Sequence, residues 1–417
     1  MDPKETIKRI AVEARNAAAL LATTLGEKRN SALRACAEAI CKNASHLQAE
    51  NQKDLDRSGE FGLSDAMIDR LTLTDARIEG MSDALEQIAA QTDPIGQTIS
   101  GYNRPNGLRI EKRRVPIGVI GIIFESRPNV TADAAGLCLK SGNACILRGG
   151  KEAINSNLAI AKVLRESLEK ADLPAAAVTV LDNPDRSLVP AMATAEGLID
   201  LIIPRGGEKL IRAVTQAATI PVIKHYAGNC HVYVHEQADM DIAENIVLNA
   251  KCQRPGVCNS AETLLVDKSV AREFLPRIAA KLKAEGVELR GCPESCKLAE
   301  MALASEDDWR CEYLDLILAV KVVDDIDAAI NHINTYSSSH TEAIVTQSLE
   351  ASRQFAAAID SSSVMVNAST RFSDGGVYGL GAEIGISTDK LHSRGPMGAE
   401  DLTTYKWIVT GSGHIRT

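Results

Sequence analysis

A nearly continuous apolar run, Ile117-Gly118-Val119-Ile120-Gly121-Ile122-Ile123-Phe124, decides the fold of this chain. A helix-like stretch over residues 132–140 follows it, and a longer one covers residues 152–170. Further apolar runs alternate with these stretches at residues 144–148, 178–181 and 198–203. Apolar strands that alternate with helices are typical of a parallel sheet covered on both faces, and ligands of such sheets bind beyond the carboxyl ends of the strands.

A second α/β unit is predicted after Tyr226. Its strands include His231-Val232-Tyr233-Val234 and Thr263-Leu264-Leu265-Val266, and a further apolar run over residues 316–323 is interrupted by Lys321. The first hundred residues instead place apolar side chains at helical spacing. We therefore expect an α/β protein with two doubly wound units.

A small β ribbon is predicted beside these units. Residues 108–115 alternate in polarity and present a basic face. Such a charged face is usually solvated, but an edge ribbon can also pair with another subunit. The last segment, residues 403–409, is rich in β-branched and aromatic residues and could pair with this ribbon.

The composition, 45% hydrophobic and 24% charged, is typical of a soluble globular protein. A net charge of −9 argues against general nucleic-acid binding, which needs a basic surface. The N-terminal residues have no apolar core for a signal peptide, and no apolar run is long enough to cross a bilayer. The 10 cysteines are scattered, so we expect reduced thiols and a cytoplasmic protein.

A candidate nucleophile lies in the loop Lys251-Cys252-Gln253-Arg254-Pro255-Gly256-Val257-Cys258, at the start of an apolar strand-like run. Nearby cations favour a thiolate, which is the nucleophilic form of cysteine. Cysteine is more often a small buried hydrophobe. The local spacing leaves both roles open for Cys258.

Residues 249–266 resemble the active-site segment of the γ-glutamyl phosphate reductase family, which belongs to the aldehyde dehydrogenase superfamily. Residues 323–344, 371–376 and 380–397 are similar to other segments of that family, so the resemblance covers nearly the whole chain. It implies that Cys258 is the nucleophile and that the fold is aldehyde dehydrogenase-like. It further implies an NADP-binding domain over residues 1–100 and 116–225, a catalytic domain over 226–365, and an oligomerisation ribbon over 101–115 and 400–417.

An oxyanion-stabilising residue is implied by the segment Phe124-Glu125-Ser126-Arg127-Pro128-Asn129-Val130, which leaves the first strand. It resembles the superfamily segment whose asparagine amide donates to the oxyanion, which makes Asn129 that residue here. Acyl transfer to a thiol creates such an oxyanion, and the backbone N–H of Cys258 would be the second donor. The alternative for Asn129 is an ordinary turn residue beside proline.

The dinucleotide fingerprint Gly-x-Gly-x-x-Gly is absent, since residues 379–385 have the wrong final spacing and no strand–helix context. The resemblance implies a different cofactor site. Arg148 resembles the basic residue that reaches the adenosine ribose in the superfamily, and Lys151 follows it closely. Two cations at a strand end favour NADPH over NADH; alternatively, the pair merely ends a strand and starts a helix.

Two more cofactor contacts are implied. Gly206 and Gly207 open a helix after the fourth apolar run, where free N–H groups would favour a pyrophosphate. Glu312 resembles the superfamily glutamate that holds the nicotinamide ribose, with a charged residue on a surface turn as the alternative.

No metal site is predicted. His332 and His340 lie in one family-like segment, but no acidic or cysteine ligand set accompanies them in the sequence. We expect structural or substrate-shaping roles for both. Cys292 and Cys296 likewise lack further ligands at matching spacing, and ordinary loop thiols are expected there.

Hydrolytic aldehyde dehydrogenases carry a general-base glutamate in a Glu-Leu-Gly-Gly segment. The matching region, Lys224-His225-Tyr226-Ala227-Gly228-Asn229-Cys230, contains no glutamate. This fits an enzyme whose acyl partner is phosphate rather than hydroxide. Arg127, Arg254 and Arg371 are candidate binders of the phosphate or the α-carboxylate, with surface salt bridges as the alternative.

The resemblance implies NADPH-dependent reduction of L-glutamyl 5-phosphate to L-glutamate 5-semialdehyde and phosphate, a step of proline synthesis. It also implies a homo-oligomer and, as a possible partner, the glutamate 5-kinase that supplies the substrate. A general NAD(P)-dependent aldehyde dehydrogenase that forms a carboxylic acid is the alternative enzyme, and the missing glutamate argues against it. A cysteine acyltransferase or hydrolase without a nucleotide, and a non-catalytic assembly protein, are rivals of other classes.

Overall fold

Five helices begin the chain in a computed structural model that describes residues 2–416. They are α1 (Pro3–Leu21), α2 (Gly26–Lys42), α3 (Ala44–Asp56), α4 (Asp65–Leu71) and α5 (Asp75–Ala90). The Asp2 carboxylate caps α1 by accepting from the N–H of Lys4. Met1 and Thr417, which the predicted domains include, lie outside the described residues.

A four-stranded parallel sheet follows an antiparallel pair of strands, β1 (Thr98–Asn103) and β2 (Arg109–Pro116). The elements of this region are β3 (Val119–Phe124), α6 (Asn129–Lys140), β4 (Ala144–Arg148), α7 (Ile154–Lys170), β5 (Val178–Val180), α8 (Leu188–Ala193), β6 (Leu201–Arg205) and α9 (Glu208–Ala217). The sheet has the order β5-β4-β3-β6. Every residue of β3 is buried, as expected for a central strand covered on both faces.

The chain divides into two units. The first comprises the chain up to Lys224 with Gly379–Gly385 and the segment from Met397 onward; the second comprises His225–Tyr378 and Ile386–Pro396. The second unit therefore continues past residue 365, the end of the predicted catalytic domain. Among residues 2–416, no helix has the length and apolarity needed to span a bilayer.

The second unit is built on a seven-stranded sheet. Its elements are β7 (Cys230–Val234), α10 (Met240–Cys252), β8 (Ala261–Asp267), α11 (Lys268–Ala284), β9 (Glu288–Gly291), α12 (Pro293–Leu298), β10 (Ala302–Leu303), β11 (Ile317–Val323), α13 (Ile326–Tyr336), β12 (Thr341–Val345), α14 (Leu349–Ala358) and β13 (Ser363–Val366). The order is β10-β9-β11-β8-β7-β12-β13, with parallel pairs throughout. Because all strands run in one direction, the loops that follow them gather at one edge of the sheet.

The C-terminal segment adds three strands. β14 (Gly385–Ser387) pairs with β15 (Gly395–Met397), and β16 (Thr403–Thr410) joins the sheet β1-β2-β16. β16 is antiparallel to β2, with Tyr405 opposite Arg114. Tyr405 and Trp407 are exposed, and the ammonium of Lys112 lies 3.6 Å from the centre of the Tyr405 ring.

Two differences between the predicted and observed strands have a clear physical reason. The strand predicted over residues 198–203 begins at Leu201, because the N–H groups of Leu198 and Ile199 both donate to the carbonyl of Ala195 in a turn. Lys321 interrupts the apolar run but not β11, and its ammonium lies 5.3 Å from the centre of the Trp309 ring. A long side chain can remain in a strand when its charged end finds such a partner.

A buried arginine ties α2 to the end of the helical region. The Arg29 side chain is 1% exposed, and its Nη2 donates to both carboxylate oxygens of Asp93, at 2.7 and 2.8 Å. Its Nη1 donates to the carbonyls of Leu21 and Thr24. The Arg29 guanidinium thus donates to carbonyls at and just after the end of α1, and it anchors α2 to Asp93.

Replacement of Arg29 by methionine should lower the free energy of unfolding by about 3 kcal/mol, because it leaves a carboxylate and two carbonyls without their donor. Urea denaturation followed by circular dichroism measures the change. Arg34→Met on the same helix is the control. The Arg34 side chain is 47% exposed and pairs with Glu27 and Glu86 at the surface, so this substitution should lower the free energy of unfolding by about 1 kcal/mol or less. Equal effects of the two substitutions would contradict this account.

Candidate active site

Cys258 lies in the loop between α10 and β8, and its side chain is half-buried. Neighbouring side chains hold this loop in place. Ser260 donates to the carbonyl of Ala250 at 3.2 Å, and the amide of Asn259 donates to the carbonyl of Ser373 at 2.9 Å. The loop is therefore tied both to the helix that precedes it and to the segment around residue 373.

A buried ion pair closes the base of the same loop. The ammonium of Lys251, in the last turn of α10, lies 2.6 Å from the carboxylate of Glu262 on β8, and both side chains are fully buried. Burial raises the pKa of Glu262 to about 7, and the Lys251 charge opposes that rise. The sequence suggested Lys251 as a cation for the thiolate; in the structure, its charge is matched by Glu262, which sequence analysis missed.

Gly228 lies directly against the backbone of Cys258. A Cβ atom at position 228 would be 1.8 Å from the Cys258 carbonyl oxygen, so only glycine fits. The N–H of Gly228 donates to Glu312 at 2.7 Å, and the thiol of Cys230 donates to the Cys258 carbonyl at 3.2 Å. Glu312, which is expected to hold a ribose, thus accepts from the backbone of Gly228, the residue that lies against Cys258.

Burial raises the pKa of Cys230 well above its usual value, and the nearby Glu342 carboxylate raises it further. Cys230 is fully buried. A thiol in this environment stays protonated and is a poor nucleophile. Cys230 therefore acts as a hydrogen-bond donor to the loop, and the half-exposed Cys258 is the better candidate for acyl chemistry.

Two histidines lie beside Cys258. One donor atom each from His225, His340 and Cys258 lies within 4.8 Å of the other two, and the imidazole rings of His225 and His340 meet edge-to-face at 5.6 Å. The sequence predicts a structural or substrate-shaping role for His340 and assigns no role to His225. Sequence spacing could not reveal the cluster, because its members are far apart in the chain. His225 and Cys258 are separated by 33 residues, and Cys258 and His340 by 82.

His332 lies elsewhere, so the two histidines of the family-like segment have different surroundings. Its ring packs against Trp309 at 5.4 Å and against Tyr336 at 4.6 Å. Burial lowers the pKa of His332 to about 2, helped by the neighbouring His231 and Lys321. His332 is therefore a neutral packing residue.

Two of the three candidate anion binders lie near Cys258. Arg371 donates to Gln253 at 2.8 Å. Its pKa is lowered, first by burial and then by the charge of Arg254, whereas the Asp374 carboxylate and Cys258 act in the opposite direction. Arg254 is exposed on the loop. Arg127, the third candidate, belongs to the first unit and is half-buried after β3.

The predicted adenosine-side residues lie at the end of β4 in the first unit, where Arg148 is the last residue of the strand and Lys151 follows it. Arg148 donates to the carbonyl of Pro184 at 2.8 Å, and burial lowers its pKa. The ammonium of Lys151 lies 4.7 Å from the centre of the Phe61 ring. Arg186 adds a charge close enough to lower the pKa of Arg148 further, a contribution that sequence analysis missed. These cations lie at the carboxyl end of a parallel strand, where ligands of such sheets bind.

The helix start at Gly206 and Gly207 is occupied by a carboxylate. Glu125 accepts from the N–H of Gly207 at 3.0 Å, and a Cβ atom at Gly206 would lie 2.4 Å from the same carboxylate oxygen. An anion therefore does contact the start of α9, as its dipole favours, but it belongs to the chain itself. A bound pyrophosphate would have to displace Glu125.

Asn129 is the first residue of α6, and it is exposed. Its amide donates to the carboxylate of Asp133 at 2.9 Å. Burial raises the pKa of Asp133 to about 6, which the Asn129 hydrogen bond and the Arg205 charge oppose. Ser126, three residues earlier, has a φ of 25°, and both its N–H and its hydroxyl donate to Glu152. That backbone conformation is unusual for a residue other than glycine and sharpens the turn after β3.

Both the sequence and the fold are similar to those of known proteins. Residues 2–289 match the model of the aldehyde dehydrogenase family. A gamma-glutamyl phosphate reductase of Geobacter metallireducens is 56% identical over 413 residues, 99% of each chain. One of Nautilia profundicola is 53% identical over 410 residues, 98% of this chain and all of the relative.

Solved structures agree with these relatives. The gamma-glutamyl phosphate reductase of Thermotoga maritima superposes with a TM-score of 0.95 at 46% identity, over 98% of this chain and 99% of that one. An acetylating aldehyde dehydrogenase of Geobacillus thermoglucosidasius, at 17% identity, shares the fold with a TM-score of 0.72, over all of this chain and 98% of that one. The fold class is thereby confirmed, and a nicotinamide cofactor follows from the family. The chain belongs to the aldehyde dehydrogenase family and, within it, to the gamma-glutamyl phosphate reductases.

Proposed function

We propose that this chain reduces L-glutamyl 5-phosphate to L-glutamate 5-semialdehyde, with release of phosphate, through a thioester on Cys258. The observation that carries the proposal is a half-buried cysteine flanked by Arg254 and Arg371 in a chain that is 56% identical to a gamma-glutamyl phosphate reductase. Guanidinium groups suit both phosphate and carboxylate anions. A substrate with one of each at its two ends matches two such groups.

The chemistry of the first half-reaction follows from these groups. The Cys258 thiolate attacks the acyl carbon, the carbon–oxygen bond to phosphate breaks, and phosphate leaves with the electron pair. One of the two guanidinium groups, Arg254 or Arg371, neutralises the charge on the departing phosphate, while the other holds the carboxylate at the far end of the substrate. Asn129 and the backbone N–H of Cys258 are the proposed donors to the oxyanion. For Asn129 to donate there, its hydrogen bond to Asp133 must be exchanged.

We assign Arg148 and Lys151 to the ribose 2′-phosphate of the cofactor, Gly206 and Gly207 to its pyrophosphate, and Glu312 to its nicotinamide ribose. The cations fit a 2′-phosphate, which supports NADPH over NADH. When bound, the dinucleotide supplies the hydride that reduces the thioester carbon. Cys258 is then released as a thiolate when the tetrahedral product collapses to the aldehyde.

Assembly and location complete the proposal. The exposed Tyr405 and Trp407 on β16 support a homo-oligomer formed through the sheet β1-β2-β16, as predicted for residues 101–115 and 400–417. Supply of the unstable acyl phosphate by a glutamate 5-kinase stays a prediction. The 10 unpaired cysteines suit the reducing cytoplasm.

Substitution of Cys258 by serine should lower kcat by more than about 10³-fold, because a hydroxyl lacks the thiolate that forms the thioester. NADPH affinity should stay close to that of the wild type and can be followed by nucleotide fluorescence. Cys252→Ser is the control, since burial raises the pKa of Cys252 and makes it a weaker nucleophile. If the Cys258 variant kept a large part of the wild-type kcat, the thioester route would be wrong.

The double substitution Arg148→Ala/Lys151→Ala should weaken NADPH binding by about 2–4 kcal/mol while affecting NADH much less, because only NADPH carries the 2′-phosphate. Isothermal titration calorimetry with both nucleotides measures the difference. Lys162→Ala, an exposed position on α7, is the control and should change neither affinity. Equal weakening of the two nucleotides would show that the pair does not recognise the phosphate.

Phosphate dependence tests the reaction itself. Oxidation of glutamate 5-semialdehyde with NADP⁺ should proceed only when phosphate or arsenate is added, because residues 224–230 lack the general-base glutamate of hydrolytic aldehyde dehydrogenases. A guanidinium group holds the bound phosphate as a ready nucleophile, whereas residues 224–230 offer water no carboxylate base. The measurement is NADPH formation in phosphate-free buffer, with and without the anion. Rapid turnover without any acceptor anion would instead favour the general aldehyde dehydrogenase that forms a carboxylic acid.

A further inference from the structure

Cys258, His225 and His340 form a cysteine–histidine cluster whose two imidazoles have no role in the proposed reaction. One donor atom from each residue lies within 4.8 Å of the other two. Over residues 2–416, it is the one group of three histidine, cysteine or acidic side chains close enough to share a metal ion. We propose that the cysteine–histidine cluster is a reversible binding site for Zn²⁺ and similar thiophilic cations.

The donor set suits zinc. A thiolate and two imidazoles are among the ligands that Zn²⁺ prefers, with Zn–S near 2.3 Å and Zn–N near 2.0–2.1 Å. Those bond lengths place the ligand atoms of a tetrahedral site roughly 3.5 Å apart. The three donors of the cluster therefore need to approach one another by only about 1 Å, which side-chain rotation supplies.

Hydrogen bonds at the Nδ1 atoms of His225 and His340 hold the two imidazole rings in position. Nδ1 of His225 lies 2.8 Å from the carbonyl of Ile386, and a carbonyl can only accept, so this nitrogen carries the proton. Nδ1 of His340 lies 2.9 Å from the hydroxyl of Thr341 and 3.7 Å from Cys230. For His225, whose Nδ1 is protonated, Nε2 is the nitrogen that would bind a metal, and such outer contacts are usual for metal-binding histidines.

The three residues of the cluster differ in solvent exposure. His340 is buried, whereas His225 and Cys258 are half-buried, so one side of the cluster is open to solvent. A cation can therefore enter, and three protein ligands leave a fourth position for water. The positive charges of Arg254 and Arg371 oppose a cation, so its binding should depend strongly on the thiolate.

Zinc binding would switch off the nucleophile. The sulfur–hydrogen bond breaks, the proton passes to solvent, and the sulfur electron pair forms the bond to zinc. That pair is then unavailable to the acyl carbon. The inhibition of the reductase rests on the proposed function, whereas the binding itself does not.

Cobalt titration of the reduced full-length chain tests the site, with Co²⁺ as a spectroscopic substitute for Zn²⁺. One Co²⁺ per chain should give a near-ultraviolet sulfur-to-cobalt charge-transfer band that Zn²⁺ removes by competition. Cys258→Ser should lose the band, and His225→Asn or His340→Asn should weaken cobalt binding at least about 10-fold. Cys252→Ser and His46→Asn, outside the cluster, should bind as the wild type does.

A band that persists in Cys258→Ser, or wild-type affinity in both histidine variants, would overturn the proposal. A second measurement needs no variant. Zn²⁺ should slow the alkylation of Cys258 by iodoacetamide at least about 10-fold, as mapped on its peptide, and a chelator should restore the rate; unchanged alkylation would also overturn the site. Cobalt binding in a chain without reductase activity would refute the proposed function and leave the metal site intact.

Discussion

The buried ion pair of Lys251 and Glu262 is the interaction on which the candidate site depends. Both charges are removed from water, and each would cost several kcal/mol if its partner moved away. The end of α10 and the start of β8 must therefore stay together. The loop that carries Cys258 spans two fixed points, so its few conformations are set by a pair that never meets the substrate.

In the first unit, the groups proposed to bind a ligand already form hydrogen bonds with other residues of the chain. Glu125 contacts the helix start at Gly207, Asp133 accepts from Asn129, and Pro184 accepts from Arg148. A ligand would exchange one hydrogen bond for another at each point. The net gain at each is then a difference between two bonds, which is smaller than either one. Affinity must therefore come from several such exchanges together.

Much of the fold could be predicted from the sequence, because apolar strands and helical periodicity are local signals. The apolar runs that form β3, β4 and β8 show this, and Cys258 lies in the loop before β8, as the sequence predicts. The surroundings of that cysteine were harder to predict. His340 is brought to the loop by parallel pairing of β12 with β7 and of β7 with β8, and no spacing rule reports a contact between strands so distant in sequence. Lys251 and Glu262 are only 11 residues apart, but they meet because the chain reverses between α10 and β8, and their spacing in the sequence does not report that contact.

The close approach of Gly228 to Cys258 bears on how variation among relatives should be interpreted. A sequence comparison would judge activity by the nucleophile, and any chain that retains a cysteine at that place would pass. Here the backbone of position 228 leaves no room even for a methyl group beside the Cys258 carbonyl. A homologue with an intact cysteine and any side chain at position 228 would carry its sulfur in a displaced loop. Such a gene would encode a pseudoenzyme that its active-site motif fails to reveal.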